Sequence, residues 1–149
     1  MGPHRPLSDS PTISIHEARE RDYRAVARIQ QLSPETAQWP IGDYSGYPML
    51  VAIRDGGVAG FCSWRQSAPD EAEVLNIAVE PASRRQGIGM ALLTEVCNRS
   101  KGFIFLEVAE YNFPAIALYR RLGWEEAGRR VGYYGQGSVN AVVMKKRSW

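Results

Sequence analysis

The sequence predicts a single α/β domain built on a mixed sheet, and three observations carry that reading. Runs of strand type, alternating or continuously apolar, come first along the chain. From about residue 74 onward such runs alternate with segments that are apolar at helical spacing. The length, 149 residues with 44% hydrophobic and 23% charged side chains, suits one sizeable core and no more.

The elements follow in order. Thr12 to Ala18 alternates and predicts a first strand, with residues 1–11 before it reading as a flexible tail and 12–149 as one domain. Asp22 is placed to cap a helix carrying Ala25, Val26, Ile29 and Leu32 on one face, ended by Ser33-Pro34. Residues 34–48 interleave Trp39, Tyr44 and Tyr47 with prolines and glycines, and predict a short helix in a mobile loop. Met49 to Arg54, the Asp55-Gly56-Gly57 turn and Val58 to Gln66 predict a hairpin. Val74 to Val79 is the next strand. A helix then runs from Gly87 to about Ser100 with Ile88, Leu92 and Val96 inward, closed by Lys101-Gly102. Phe103 to Val108 is apolar on both faces, as in a sheet interior, apart from Glu107. Asn112 caps a helix over Ala115 to Leu122, stopped by Gly123. Strands near Glu125–Tyr133 and Val139–Lys145 flank a Gly135-Gln136-Gly137 tip, and Lys145-Lys146-Arg147 reads as a solvated strand end. That makes about seven strands.

Composition excludes several classes. No apolar run approaches the roughly 18 residues that span a bilayer, and the first residues lack the apolar core of a secretory signal. Cys62 and Cys97 sit in apolar segments without ligand spacing, which implies reduced thiols in a cytoplasmic protein, and two isolated histidines offer no metal site. Charge is uneven: residues 1–75 carry 7 basic and 10 acidic side chains, residues 76–149 carry 11 and 6. The positive half suits a polyanionic small molecule, whereas direct nucleic-acid binding would need a denser patch and a known module.

That half holds the most informative stretch, a strand running into Arg84-Arg85-Gln86-Gly87-Ile88-Gly89-Met90 and then a helix. Strand, glycine loop and helix start aim free N–H groups and the positive end of the helix dipole at an anion. Gly87 and Gly89 let a phosphate approach the backbone. A Walker loop needs Lys-Ser/Thr after its second glycine, where Met90-Ala91 stands, and a dinucleotide fingerprint needs a small residue where Leu92 stands. Arg84-x-x-Gly87-x-Gly89 fits neither; it resembles the acyl-coenzyme A loop of the GNAT superfamily of N-acetyltransferases.

The resemblance extends over residues 74–145. Asn76-Ile77-Ala78-Val79, Leu106-Glu107-Val108, Asn112, Ala115 to Tyr119, Leu122-Gly123-Trp124, Arg130, Tyr133-Tyr134 and Ala141 to Met144 are similar to the bacterial ribosomal-protein-alanine N-acetyltransferases. The resemblance implies a GNAT fold, a mostly antiparallel sheet whose central strands splay to admit acetyl-coenzyme A. It implies that Ile77, Ala78 and Val79 lie along the pantetheine arm and that Arg85, Gln86, Gly87, Ile88, Gly89 and Met90 hold the pyrophosphate, while the fixed charge of Arg84 beside the loop reads as cofactor-binding too. Asn112 would hydrogen-bond the arm, Glu107 would be the base and Tyr119 the acid. It also implies a polypeptide N-terminus as acceptor, a ribosomal protein first among candidates, with Trp39, Tyr133 and Tyr134 against it; no metal, and a monomer or weak dimer.

Plainer readings stand beside these. Glu107 also suits a carboxylate paired with an arginine, Tyr119 and Trp39 suit core aromatics, and Asn112 suits a helix cap alone. The first half matches the branch only loosely, Gln38-Trp39-Pro40 approximating its aromatic-proline turn, and in the second half Gly132 stands where that branch usually has asparagine and Asn140 where it often has aspartate. Small amines, lysine side chains or antibiotics remain alternative acceptors, and a non-catalytic acyl-coenzyme A sensor is the alternative of another class.

Overall fold

The computed structural model describes residues 12–134, 137 and 139–148, with the side chains of Tyr134 and Ser148 left aside. The N-terminal tail and most of the 135–138 tip fall outside that range. In chain order the elements are β1 (Ile13–Glu17), α1 (Tyr23–Gln31), β2 (Met49–Arg54), β3 (Gly57–Ala68), β4 (Glu71–Val79), α2 (Ile88–Arg99), β5 (Gly102–Ala109), α3 (Phe113–Arg121), β6 (Glu125–Tyr134) and β7 (Val139–Ser148). The strands make one seven-stranded sheet ordered β1-β2-β3-β4-β5-β7-β6. Neighbours are antiparallel except β4 and β5, which run parallel because α2 carries the chain back between them.

Alternation along β2 divides the core between two faces. Leu50 and Ala52 point to one, where Leu92, Leu93 and Val96 of α2 pack, together with Tyr119 of α3 and Trp124. Met49 and Val51 point to the other, against Val26 and Ile29 of α1 and with Phe61 and Ala78. No helix among the described residues is long and apolar enough to cross a membrane.

Four local expectations need correction. Helix α1 ends at Gln31, so Leu32 is 51% exposed and the inward place belongs to Gln30. Asp22 does not cap that helix; its carboxylate accepts the Arg19 N–H at 2.8 Å. The segment expected as a mobile loop is anchored: its short helix is a 3-10 turn, Ile41–Tyr44, with Tyr44 fully buried and the Trp39 ring stacked on it at 5.2 Å. Lys146 is not simply solvated, since its ammonium donates to the Leu122 carbonyl at 2.5 Å.

Candidate active site

The site begins where the sheet fails to close. β4 and β5 pair only from Glu71 to Glu73 with Phe103 to Phe105. Beyond that point β4 carries a bulge: Val74 faces Trp64 and Asn76 faces Ser63, leaving Leu75 as an extra residue. The bulge changes which residues face which way, since Ala72 and Val74 join the α2 core while Ala78 joins the α1 core. The two strands part, and a cleft opens between them. Leu75 and Ile77 line it from β4, Glu107 and Val108 from β5, and Asn112 and Tyr119 from the segment that follows. Tyr133 reaches it from β6, and Glu35, Thr36 and Ala37 close it on the α1 side.

At the C-terminal end of β4 lies the glycine loop. Pro81–Ser83 forms a 3-10 turn, braced by the Arg54 guanidinium, which donates to Ser83 Oγ at 3.0 Å. Arg85 and Gly87 take left-handed backbone angles, φ 64° and 81°, and α2 starts at Ile88. The Ala91 N–H bonds the Gly87 carbonyl at 3.0 Å, so the N–H groups of Ile88, Gly89 and Met90 precede the helical ladder. A Cβ on Gly87 would meet nothing within 4 Å, and one on Gly89 only Val79 Cγ2 at 3.9 Å. These glycines therefore keep open a space above the helix start, which is where an anion would sit. Arg85, Gln86 and Met90 are exposed around it. Arg84 is otherwise engaged: it donates to the Val79 carbonyl, Ser33 Oγ and Glu35 Oε2, each at 3.0 Å.

Glu107 is 20% exposed, and Arg130 Nη1 donates to both of its oxygens at 3.1 Å. The Arg130 guanidinium lies over the Tyr133 ring, 4.4 Å from its centroid. The arginine pairing anticipated for Glu107 is thus present, in the same cleft as the candidate acid. Tyr119 is buried, 6.2 Å from Trp124 between ring centroids, and burial pushes its phenol above the ordinary value. Burial, and then the charge of Glu107, pushes the Tyr133 phenol up as well. Asn112 does cap α3, its side-chain oxygen accepting the Ala115 N–H at 3.4 Å.

The cleft therefore gathers Ile77, Glu107, Asn112, Tyr119 and Tyr133. Trp39 packs against the α1 core on Tyr44, with Tyr47 edge-on to its ring, and the Tyr134 side chain lies outside the described residues. A buried polar knot was not foreseen. Asn76 donates to Tyr44 Oη at 2.9 Å, Gln30 Oε1 at 3.2 Å and the Ala37 carbonyl at 2.9 Å, and the Tyr44 hydroxyl donates to Gln30. The available signal was Asn76 itself, a polar residue in a buried strand, which needs partners.

The model of the acetyltransferase (GNAT) family matches residues 12–124. The chain belongs to that family. Its members use acetyl-coenzyme A, and the open sheet and glycine loop are those expected of a GNAT domain. This GNAT chain is 31% identical to the N-alpha-acetyltransferase RimI of Mycobacterium tuberculosis over 152 residues, covering 95% of the chain and 96% of that protein. It is 41% identical to an uncharacterized protein of Mycobacterium leprae, spanning 95% of itself but 42% of that relative's length. The crystal structure of the ribosomal-protein-S18-alanine N-acetyltransferase from Escherichia coli superposes with a TM-score of 0.79 at 31% identity, covering 92% and 94% of the two chains.

Proposed function

We propose that the chain transfers the acetyl group of acetyl-coenzyme A to the N-terminal α-amine of a polypeptide, alanine-starting, in the cytoplasm, with a ribosomal protein the first candidate. The observation that carries this reading is the meeting of Glu107, Tyr119 and Asn112 in one cleft beside β4, the strand that runs on into the glycine loop. The names of the Mycobacterium tuberculosis and Escherichia coli relatives support the acceptor.

The cofactor fits what the residues offer. The space kept at Gly87 and the N–H groups of Ile88, Gly89 and Met90 suit its pyrophosphate, with Arg85 and Gln86 beside them. The parted strands, with Ile77, Ala78 and Val79 on one side and Asn112 on the other, suit its pantetheine arm. Acetyl-coenzyme A supplies an activated thioester carbonyl and a thiolate leaving group. Glu107 accepts the amine's proton, directly or through one water. Arg130 Nη1 holds that carboxylate by both oxygens and fixes its position in the cleft. Tyr119, protonated at neutral pH, gives its proton to the leaving sulfur. Tyr133 borders the acceptor's approach. The half-buried Cys97 of α2 is not among the cleft residues, and direct attack requires no enzyme nucleophile.

A lone carboxylate base favours an α-amine. With a pKa near 8 such an amine is about ten per cent neutral at pH 7, whereas a lysine near 10.4 is neutral in fewer than about one molecule per thousand. The difference is worth about 3 kcal/mol of deprotonation. A short alanine-starting peptide with an internal lysine, incubated with the protein and acetyl-coenzyme A, should gain one acetyl group on its α-amine by mass spectrometry. Acetylation of the lysine instead, or of neither amine while a small polyamine is consumed, would overturn the assignment.

A further inference from the structure

The wall of the cleft opposite α3 is a loop, Glu35 to Ala37, with no strand or helix of its own to hold it. It is held at both ends, and in each case by the unit that carries the glycine loop. At Ala37 the anchor is Asn76 of β4, whose amide donates to the Ala37 carbonyl at 2.9 Å. Behind that bond stands Gln30, which accepts from Asn76 and donates to the Trp39 carbonyl at 2.6 Å. At Glu35 the anchor is Arg84, whose Nη2 donates at 3.0 Å to the carboxylate and to Ser33 Oγ. The Arg84 Nε is fixed in turn on the Val79 carbonyl, the last residue of β4. Three acceptors from two segments engage the Nε and Nη2 donors of one planar guanidinium, a fork that lysine could not supply.

We propose that Asn76 and Arg84 form a two-point clamp that sets Glu35–Ala37 in register with the strand and loop that hold the acyl donor. Arg84 is then a positioning residue for the acceptor wall and not a ligand of the coenzyme's phosphates. The inference rests on the cleft being the acyl-transfer site, and it leaves the acceptor's identity open. Turning Arg84 to a pyrophosphate would break the pair with Glu35 and strand a carboxylate at the mouth of the cleft. The ion pair is partly exposed, 41% and 27% at its two side chains, so it adds little to global stability. Its loss should be felt in the position of the wall.

Arg84→Gln and Glu35→Gln, made separately in the full chain, separate the two roles. Hydrogen exchange across residues 33–37 should quicken by about tenfold in each variant, in the presence of saturating acetyl-coenzyme A. Calorimetric affinity for acetyl-coenzyme A should stay at the wild-type value in both, and thermal unfolding should remain cooperative. The KM for the alanine-starting peptide should rise by about tenfold. Unchanged exchange at 33–37 in either variant overturns the clamp. So does a loss of acetyl-coenzyme A affinity in Arg84→Gln, which would make that side chain a phosphate ligand. Should the wild-type protein leave the peptide untouched, the acceptor assignment falls, while exchange and calorimetry still decide the clamp.

Discussion

A phenol acts as a proton donor only while it keeps its proton, and burial ensures that Tyr119 does. Tyr119→Phe removes the hydroxyl and retains the ring beside Trp124. Turnover should fall by about 10²-fold, with acetyl-coenzyme A affinity unchanged by calorimetry. Wild-type turnover in the Phe variant would leave Tyr119 a core aromatic and nothing more. At this scale the sequence was readable where a residue's task is local or belongs to a motif. Asn112 caps the helix that begins beside it, and Glu107 announces itself as a charge in an apolar run. Gln30, Tyr44 and Asn76 were not readable as a group, because their bonds join positions 14, 32 and 46 residues apart. The same distance hides the partnership of Arg84 and Glu35.

Elements are fixed by a few backbone approaches. Gly102 opens β5 at φ 82°, and a Cβ there would lie 1.7 Å from the Asp70 carbonyl oxygen. Gly56, in the β2–β3 turn at φ 80°, has open space in the same direction. Gly102→Ala should therefore cost more than about 2 kcal/mol in urea unfolding, and Gly56→Ala only the left-handed penalty of about 1 kcal/mol. Equal losses would mean that the chain relieves the Asp70 contact at no cost. In the sequence Lys101-Gly102 reads as a helix stop, a different cause with the same signature, since both call for positive φ. Hairpin β2–β3 and helices α2 and α3 were readable because their turn and cap chemistry is local. The bulge at Leu75 was not, because register depends on the partner strand.

Folding protects the protons of several described thiols and phenols, three of them in the buried core. Burial raises the Cys62 thiol and the Tyr119 phenol, and raises the Tyr44 phenol to about 12 despite a hydrogen bond from Asn76. Unfolded, they would ionise from about pH 9 to 10. Above that point the unfolded chain releases protons that the folded chain retains, so stability falls as pH rises. Below it their contribution is complete. Urea midpoints should hold from this cause between about pH 7 and 9, then decline steadily toward pH 12. A midpoint that stays level or rises above pH 10 would show that these groups reach solvent in the native state. The α/β class and seven strands were legible from the order of runs, but not the placing of β7 between β5 and β6. That order is decided by pairing over long separations, which periodicity does not encode.

An ordinary open sheet has two edges, and this one has four. Besides the outer sides of β1 and β6, the three-pair join of β4 to β5 leaves two more in its middle. A bare edge invites a foreign strand and, with it, aggregation. Here the inner edges face one another across a slot walled by α3, Tyr133 and Glu35–Ala37. On the proposed function the slot takes a slender guest that carries amides without a side chain at every step. The parting of β4 from β5 turns a hazard of sheet proteins into selectivity, because it keeps for such a guest the backbone pairing that two closed strands would have exchanged between themselves.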